Sequence, residues 1–268
     1  MIFLVECILV LFLLVVMVLV IRNRCRTAVC LITFKPRDIY CEFLNSFTRY
    51  RVYVIVDDND FDLTEFKAKY KNLTFVQIEN KKCEDTGYIN TCTLILKKAV
   101  TGWSKAVYYF SLVNTQYDKV WFMEDDVFFH SEDTLLKIDA KYKGDDLLSN
   151  KIEHFNHDGN SKEWHWPKMH INLDPPYHGG MMCCVRFSKK MFKCIDTYAK
   201  NNNTLFFLEP MFPTLAIKNN LKYSTPPEFE TITVQNDFKE EDINVKGLYH
   251  PIKDLNRHVT LREKISSS

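Results

Sequence analysis

The chain has 268 residues, enough for one large α/β domain with a sizeable core. Lys and Arg number 35 against 34 for Asp and Glu, so no global basic field exists to attract nucleic acid, and any phosphate binding must be local. Nine cysteines, at positions 7, 25, 30, 41, 83, 92, 183, 184 and 194, show neither CxxC pairs nor zinc-like spacing with the eight histidines, which argues against structural zinc and against a disulfide framework.

Met1–Ile21 is apolar apart from Glu6 and Cys7, close to the ~20 residues needed to cross a bilayer, and Arg22, Arg24 and Arg26 follow at once. No positive charge precedes the run and no small-residue cleavage site follows it. The expectation is a retained single-pass anchor over 1–21, a basic juxtamembrane segment over 22–26, a catalytic-size domain over 27–258 and a C-terminal tail over 259–268. The positive-inside rule places the arginine side in the cytoplasm. Sequons at Asn72–Thr74 and Asn202–Thr204 would suit a lumenal domain instead, but two matches are expected by chance in an Asn-rich chain.

Thr27–Phe34 (TAVCLITF) predicts a strand, and Tyr40, Phe43, Leu44 and Phe47 the buried face of a helix. Arg51–Val56 (RVYVIV) predicts a second strand that ends in Asp57, Asp58, Asn59 and Asp60, which is either a solvated loop or a polar ligand contact. Thr74–Glu79 reads as a third strand and Lys81–Thr93 as a loop able to fold over a ligand. A helix through Ala106, Tyr109, Phe110 and Val113, with Ser104 as its N-cap, leads to Val120. Alternating strands and helices predict βαβ crossovers and a mainly parallel sheet. Neither GxGxxG nor GxxxxGK[ST] occurs and there are only seven glycines, so phosphates would be held by metal and cationic side chains.

Val120–His130 (VWFMEDDVFFH) sets three carboxylates inside a strand-forming apolar run. Burying Glu124, Asp125 and Asp126 together costs several kcal/mol unless a cation compensates. Hard oxygen donors at a strand end suit Mg2+ or Mn2+. An acidic surface turn would be bounded by Gly, Pro, Asn or Ser, whereas this triplet is flanked by Phe122 and Met123 before and Val127 and Phe128 after. An apolar strand ending in EDDV resembles the DxD motif of GT-A type glycosyltransferases, with Glu124 and Asp126 in the outer positions.

Past this point Glu132–Tyr142 predicts a helix, and Lys151–His178 is polar and aromatic without clear period, carrying Trp164, His165, Trp166, His170, Tyr177 and His178. Those aromatics suit either stacking on sugar rings or a satellite core over the sheet. Gly179 and Gly180 open a strand-like run, MMCCVRF, and Ser188 caps a helix through Met191, Ile195 and Tyr198. Glu209 stands among apolar residues at the start of a helical pattern, Phe206–Leu221, interrupted by Pro210 and Pro213. It is either an N-terminal helix charge or, with its pKa raised by burial, a general base. Gly247–Asp254 (GLYHPIKD) offers an imidazole and an ammonium three residues apart.

The GT-A resemblance implies a Rossmann-like, mixed but mainly parallel sheet flanked by helices, and a divalent metal bound by Glu124, Asp126 and His250. It implies that Asp57, Asp58, Asp125 and Lys253 hold a nucleoside diphosphate sugar, and that Glu209 deprotonates an acceptor hydroxyl on a glycan, glycoprotein or glycolipid. It also implies an ER or Golgi lumenal domain, in conflict with the positive-inside reading. The rivals are a sugar-nucleotide nucleotidyltransferase, which would need a glycine-rich basic loop that Phe34–Asp38 (FKPRD) lacks, and an inactive membrane-anchored carbohydrate-binding protein.

Overall fold

The computed structural model describes residues 26–153, 159–160, 165–235 and 238–267. The first half alternates as expected. Strand β1 (Thr27–Thr33) leads to helix α1 (Asp38–Asn45), β2 (Arg51–Val56) to α2 (Thr64–Lys69), and β3 (Leu73–Val76) to α3 (Asn80–Glu84). Helix α4 (Gly102–Tyr108) ends in a π turn, Tyr109–Val113, and delivers the chain to β4 (Lys119–Glu124). Thr101, three residues before the expected Ser104, caps α4 by accepting from Ser104 N–H at 3.4 Å. The Ser104 hydroxyl is instead bound to Thr91 Oγ1 at 2.9 Å, inside the domain.

Next come β5 (Phe128–Phe129), α5 (Glu132–Lys141), β6 (Leu147–Leu148) and β7 (Cys184–Ser188). Helix α6 (Lys189–Asn202) follows, its Ser188 cap accepting from Lys190 and Met191 N–H as expected, and then α7 (Leu208–Lys218), β8 (Tyr223–Ser224), β9 (Leu248–Tyr249) and α8 (Leu255–Ser266). The main sheet has the order β3-β2-β1-β4-β7-β6-β8, in which only β7 runs against its neighbours. A two-stranded sheet, β5-β9, lies beside it.

The central strands read as unbroken apolar runs because both faces are covered. Ala28, Cys30, Ile32, Val120 and Phe122 pack on one face against Trp103, Phe110, Phe192 and Phe212. Val29, Leu31, Val54, Trp121 and Met123 pack on the other against Tyr40, Leu44, Leu135 and Ile138. A third cluster, Phe128, Tyr249, Ile252 and Leu261, pins the C-terminal segment beside the end of β4. Helix α8 therefore runs into the stretch expected as a tail, and Arg262 lies over the Phe43 ring at 3.5 Å while donating to the Phe129 carbonyl at 3.2 Å.

The expectation of a single-pass membrane protein, facing either the cytoplasm or the ER and Golgi lumen, is corrected here. Among the described residues no helix is long and apolar enough to cross a membrane. The longest, α6, has 14 residues and devotes its apolar side to the sheet, against the ~20 that a span requires. Met1–Ile21, on which the expectation stood, lies outside the described residues.

Candidate active site

In the sheet order, β1 lies between β2 and β4, so the crossovers diverge between β1 and β4. Open α/β sheets bind ligands in the crevice outside the carboxyl ends of the strands at such a switch point. Three strand ends meet there: Thr33 closes β1, Asp57 and Asp58 follow β2, and Glu124, Asp125 and Asp126 close β4.

Glu124, Asp126 and His250 each offer a ligand atom, and these atoms all lie within 4.8 Å of one another. Long-range pairing makes this possible. Phe128 pairs with Tyr249 across β5 and β9, and Ile252 N–H donates to the Asp126 carbonyl at 2.8 Å, so the C-terminal segment is clipped to the acidic turn. His250 Nδ1 lies 2.7 Å from the Thr233 carbonyl. A carbonyl can only accept, which assigns the proton to Nδ1 and leaves Nε2 with the lone pair in the neutral ring. That Nε2 approaches Asp126 Oδ1 at 3.2 Å, yet among the described residues no hydrogen bond of proper geometry reaches this buried oxygen. An orphaned carboxylate oxygen beside an imidazole nitrogen and a second carboxylate is a donor set that fits a small divalent cation.

The three groups also shift one another's ionisation. Burial pushes the Glu124 carboxyl up, and the neighbouring carboxylates add to this against the Trp103 hydrogen bond. Burial also opposes ionisation of Asp126 and His250, but each outweighs it for the other, so Asp126 is held below and His250 above its ordinary value.

The residues expected around the donor are placed differently from one another. Asp57 is partly exposed, and its Oδ1 accepts from Lys105 Nζ at 2.8 Å. Lys105 is 1 % exposed and also donates to the Asp57 carbonyl and, at 3.1 Å, to Asn59 Oδ1, so its three protons are all used. Asp58 accepts from Asp60 N–H at 2.9 Å and lies 3.3 Å from Lys35 Nζ; the backbone donor, then Lys35, hold its carboxyl below the usual range. Asp125 is engaged with β1, where its Oδ2 accepts from Thr33 Oγ1 at 2.6 Å. Lys253 is exposed, and its charge helps to lower Asp126.

Glu209 is half-buried in the first turn of α7. Burial first, and then the like charge of Glu124, push its carboxyl up to about 7. The two prolines do not break this helix. Pro210 falls in the first turn, where N–H groups have no helical partner. Pro213 removes the donor that would reach the Glu209 carbonyl, and Gly180 N–H takes its place at 3.3 Å. The same bond seats the Gly179–Gly180 segment against α7. Glu209 and Gly180 line a cleft of about 240 Å³ with Asn150, Glu153 and Thr233, the residue whose carbonyl orients His250.

In the aromatic segment, Trp166 is buried and stacked on Tyr177 at 5.8 Å, which favours the satellite core for this pair. Trp164 lies outside the described residues. Residue patterns along the chain gave no sign of Trp103, whose Nε1 donates to Glu124 Oε1 at 2.6 Å, or of Lys105. Both occupy the first turn of α4 and act on residues from other elements. Replacing Lys105 by Met leaves the Asp57 oxygens without their buried donor, and is expected to lower stability by ~1–3 kcal/mol, read as a shift in the urea midpoint.

No family model matches the chain, and no curated protein matches it. Solved structures do. The 4-diphosphocytidyl-2C-methyl-D-erythritol synthase of Anaerococcus prevotii is similar at 11% identity over 90% of this chain and 95% of its own, with a TM-score of 0.46. The galactosyltransferase LgtC, solved with donor and acceptor sugar analogues, is similar at 12% identity over 90% and 97%, with a TM-score of 0.46. Mouse xyloside xylosyltransferase 1 gives 10% over 75% and 85%, with a TM-score of 0.38. Likenesses of this degree carry no activity over to this chain, and the functional reading rests on the site itself.

Proposed function

We propose that the chain is a metal-dependent glycosyltransferase that moves a hexosyl or pentosyl group from a nucleoside diphosphate sugar to an acceptor hydroxyl on a glycan, glycoprotein or glycolipid, with inversion. The observation that carries this reading is the meeting of Glu124, Asp126 and His250 within 4.8 Å at the switch point of the sheet. Mn2+ or Mg2+ bound there would offset the charge that develops on the leaving diphosphate. Glu124 and Asp126 supply oxygen ligands, and His250 supplies the Nε2 lone pair that its Nδ1 contact with Thr233 leaves available.

The remaining roles belong to side chains around that centre. Asp57, its Oδ1 taken by Lys105, presents its other oxygen to a nucleoside hydroxyl or ring N–H. Asp58 and Asp125 shape the same wall through Lys35 and Thr33. Lys253 adds positive charge on the diphosphate side. Glu209 accepts the proton of the acceptor hydroxyl, for which a carboxyl raised to about 7 is suited at neutral pH.

A screen of sugar nucleotides for Mn2+-dependent turnover tests the proposal. Release of a nucleoside diphosphate from one of them, lost on chelation, is the expected result; release of pyrophosphate from a nucleoside triphosphate and sugar phosphate would identify a nucleotidyltransferase instead. His250→Ala is expected to weaken metal and donor binding together, by about tenfold or more, since even partners one shell further out cost that much. Calorimetry with Mn2+ and a nucleoside diphosphate measures both.

A further inference from the structure

The indole of Trp103 touches the centre that holds the proposed metal, and the transfer reaction gives it no role. It is 3 % exposed, and its ring packs against Phe122 and Phe212 at 6.0 and 5.8 Å between centroids. Its Nε1–H can only donate, and it donates to Glu124 Oε1 at 2.6 Å. A glutamate in the first position of the acidic triplet has one more rotatable bond than an aspartate and can swing to chelate an ion through both oxygens. With Oε1 tied to the indole, the carboxylate is not free to turn both oxygens toward an ion beside His250 and Asp126.

The number of oxygens a carboxylate offers selects among ions. Ca2+ takes bidentate carboxylates in a large, flexible shell, whereas Mg2+ and ions of its class need short single-oxygen contacts in near-octahedral geometry. We propose that Trp103 is a positioning residue that holds Glu124 as a one-oxygen ligand and so makes the centre select a small octahedral divalent cation over Ca2+. This rests on the reading of Glu124, Asp126 and His250 as a metal centre.

Trp103→Phe keeps an aromatic ring in the core and deletes the N–H. Mn2+ affinity of the full chain, measured by calorimetry, is expected to fall about 10- to 100-fold, while Ca2+ affinity holds or rises, so the preference for Mn2+ shrinks at least about tenfold. Phe212→Leu disturbs the same packing but leaves the indole bond, and is expected to preserve the preference. An unchanged preference in Trp103→Phe, or an equal loss in both variants, overturns the proposal. Failure of the unaltered chain to bind either ion overturns the reading of the centre and this proposal with it. A second measurement needs no variant: the Trp103 indole N–H resonance is expected to stay at its hydrogen-bonded position when diamagnetic Mg2+ is added. Its movement to the position of a free indole would show that Glu124 gives up the indole on binding metal, and would overturn the proposal.

Discussion

Glu209→Gln is expected to lower turnover by about 100- to 10,000-fold, the usual worth of a general base, while the donor dissociation constant barely moves. The amide keeps the size of the side chain but cannot take the acceptor's proton. Burial, helped by the charge of Glu124, holds this carboxyl up to about 7. A base works only when ionised, so the rate with the unaltered chain should rise with pH through that value and level off above it. In Glu209→Gln this limb should vanish. Near-normal turnover of the variant on a verified acceptor would move the base elsewhere or point to retention, which NMR of the product's anomeric configuration decides. Asp174 would then be a candidate; Asp158, an equal one by sequence, lies outside the described residues.

Asp126→Asn is expected to abolish metal-dependent donor binding without unfolding the chain. The contact that clips the C-terminal segment to the acidic turn uses the Asp126 main-chain carbonyl, accepting from Ile252 N–H at 2.8 Å, and asparagine keeps it. What is lost is the negative charge 3.2 Å from His250 Nε2. Removal of an inner ligand should cost at least the ~100-fold that marks the upper end for outer-shell partners. An unchanged Mn2+-dependent affinity, measured by calorimetry, would return the triplet to the status of an acidic turn.

The sequence carried the centre of the fold well because physics leaves little choice there. Runs such as RVYVIV and KVWFM are buried on both faces and show as unbroken apolar stretches, and the carboxylates that end them stand out against that background. Glu124, Asp126 and Glu209 stood out as carboxylates in apolar runs, whereas His250 and Lys253 were singled out only by the resemblance of GLYHPIKD to the GT-A pattern. Two-residue strands such as β6 and β8 are too short to show a period. The start of α4 shifted because Thr91, Thr101 and Ser104 share hydroxyl contacts that only the tertiary structure brings together. Pro213 looked like an interruption because the N–H that replaces its own comes from Gly180, far away in sequence. Trp103 and Lys105 had no signal of their own: an aromatic and a cation in a helix are ordinary, and their meaning lies in which strand end each one reaches.

A divalent ion held by Glu124, Asp126 and His250 is proposed to bind the diphosphate of the donor. Titrating a nucleoside diphosphate into the chain by calorimetry, once in Mn2+ and once after chelation, tests it most directly. Saturable binding in Mn2+ that disappears with chelator is the predicted result, and equal binding in both conditions would contradict it.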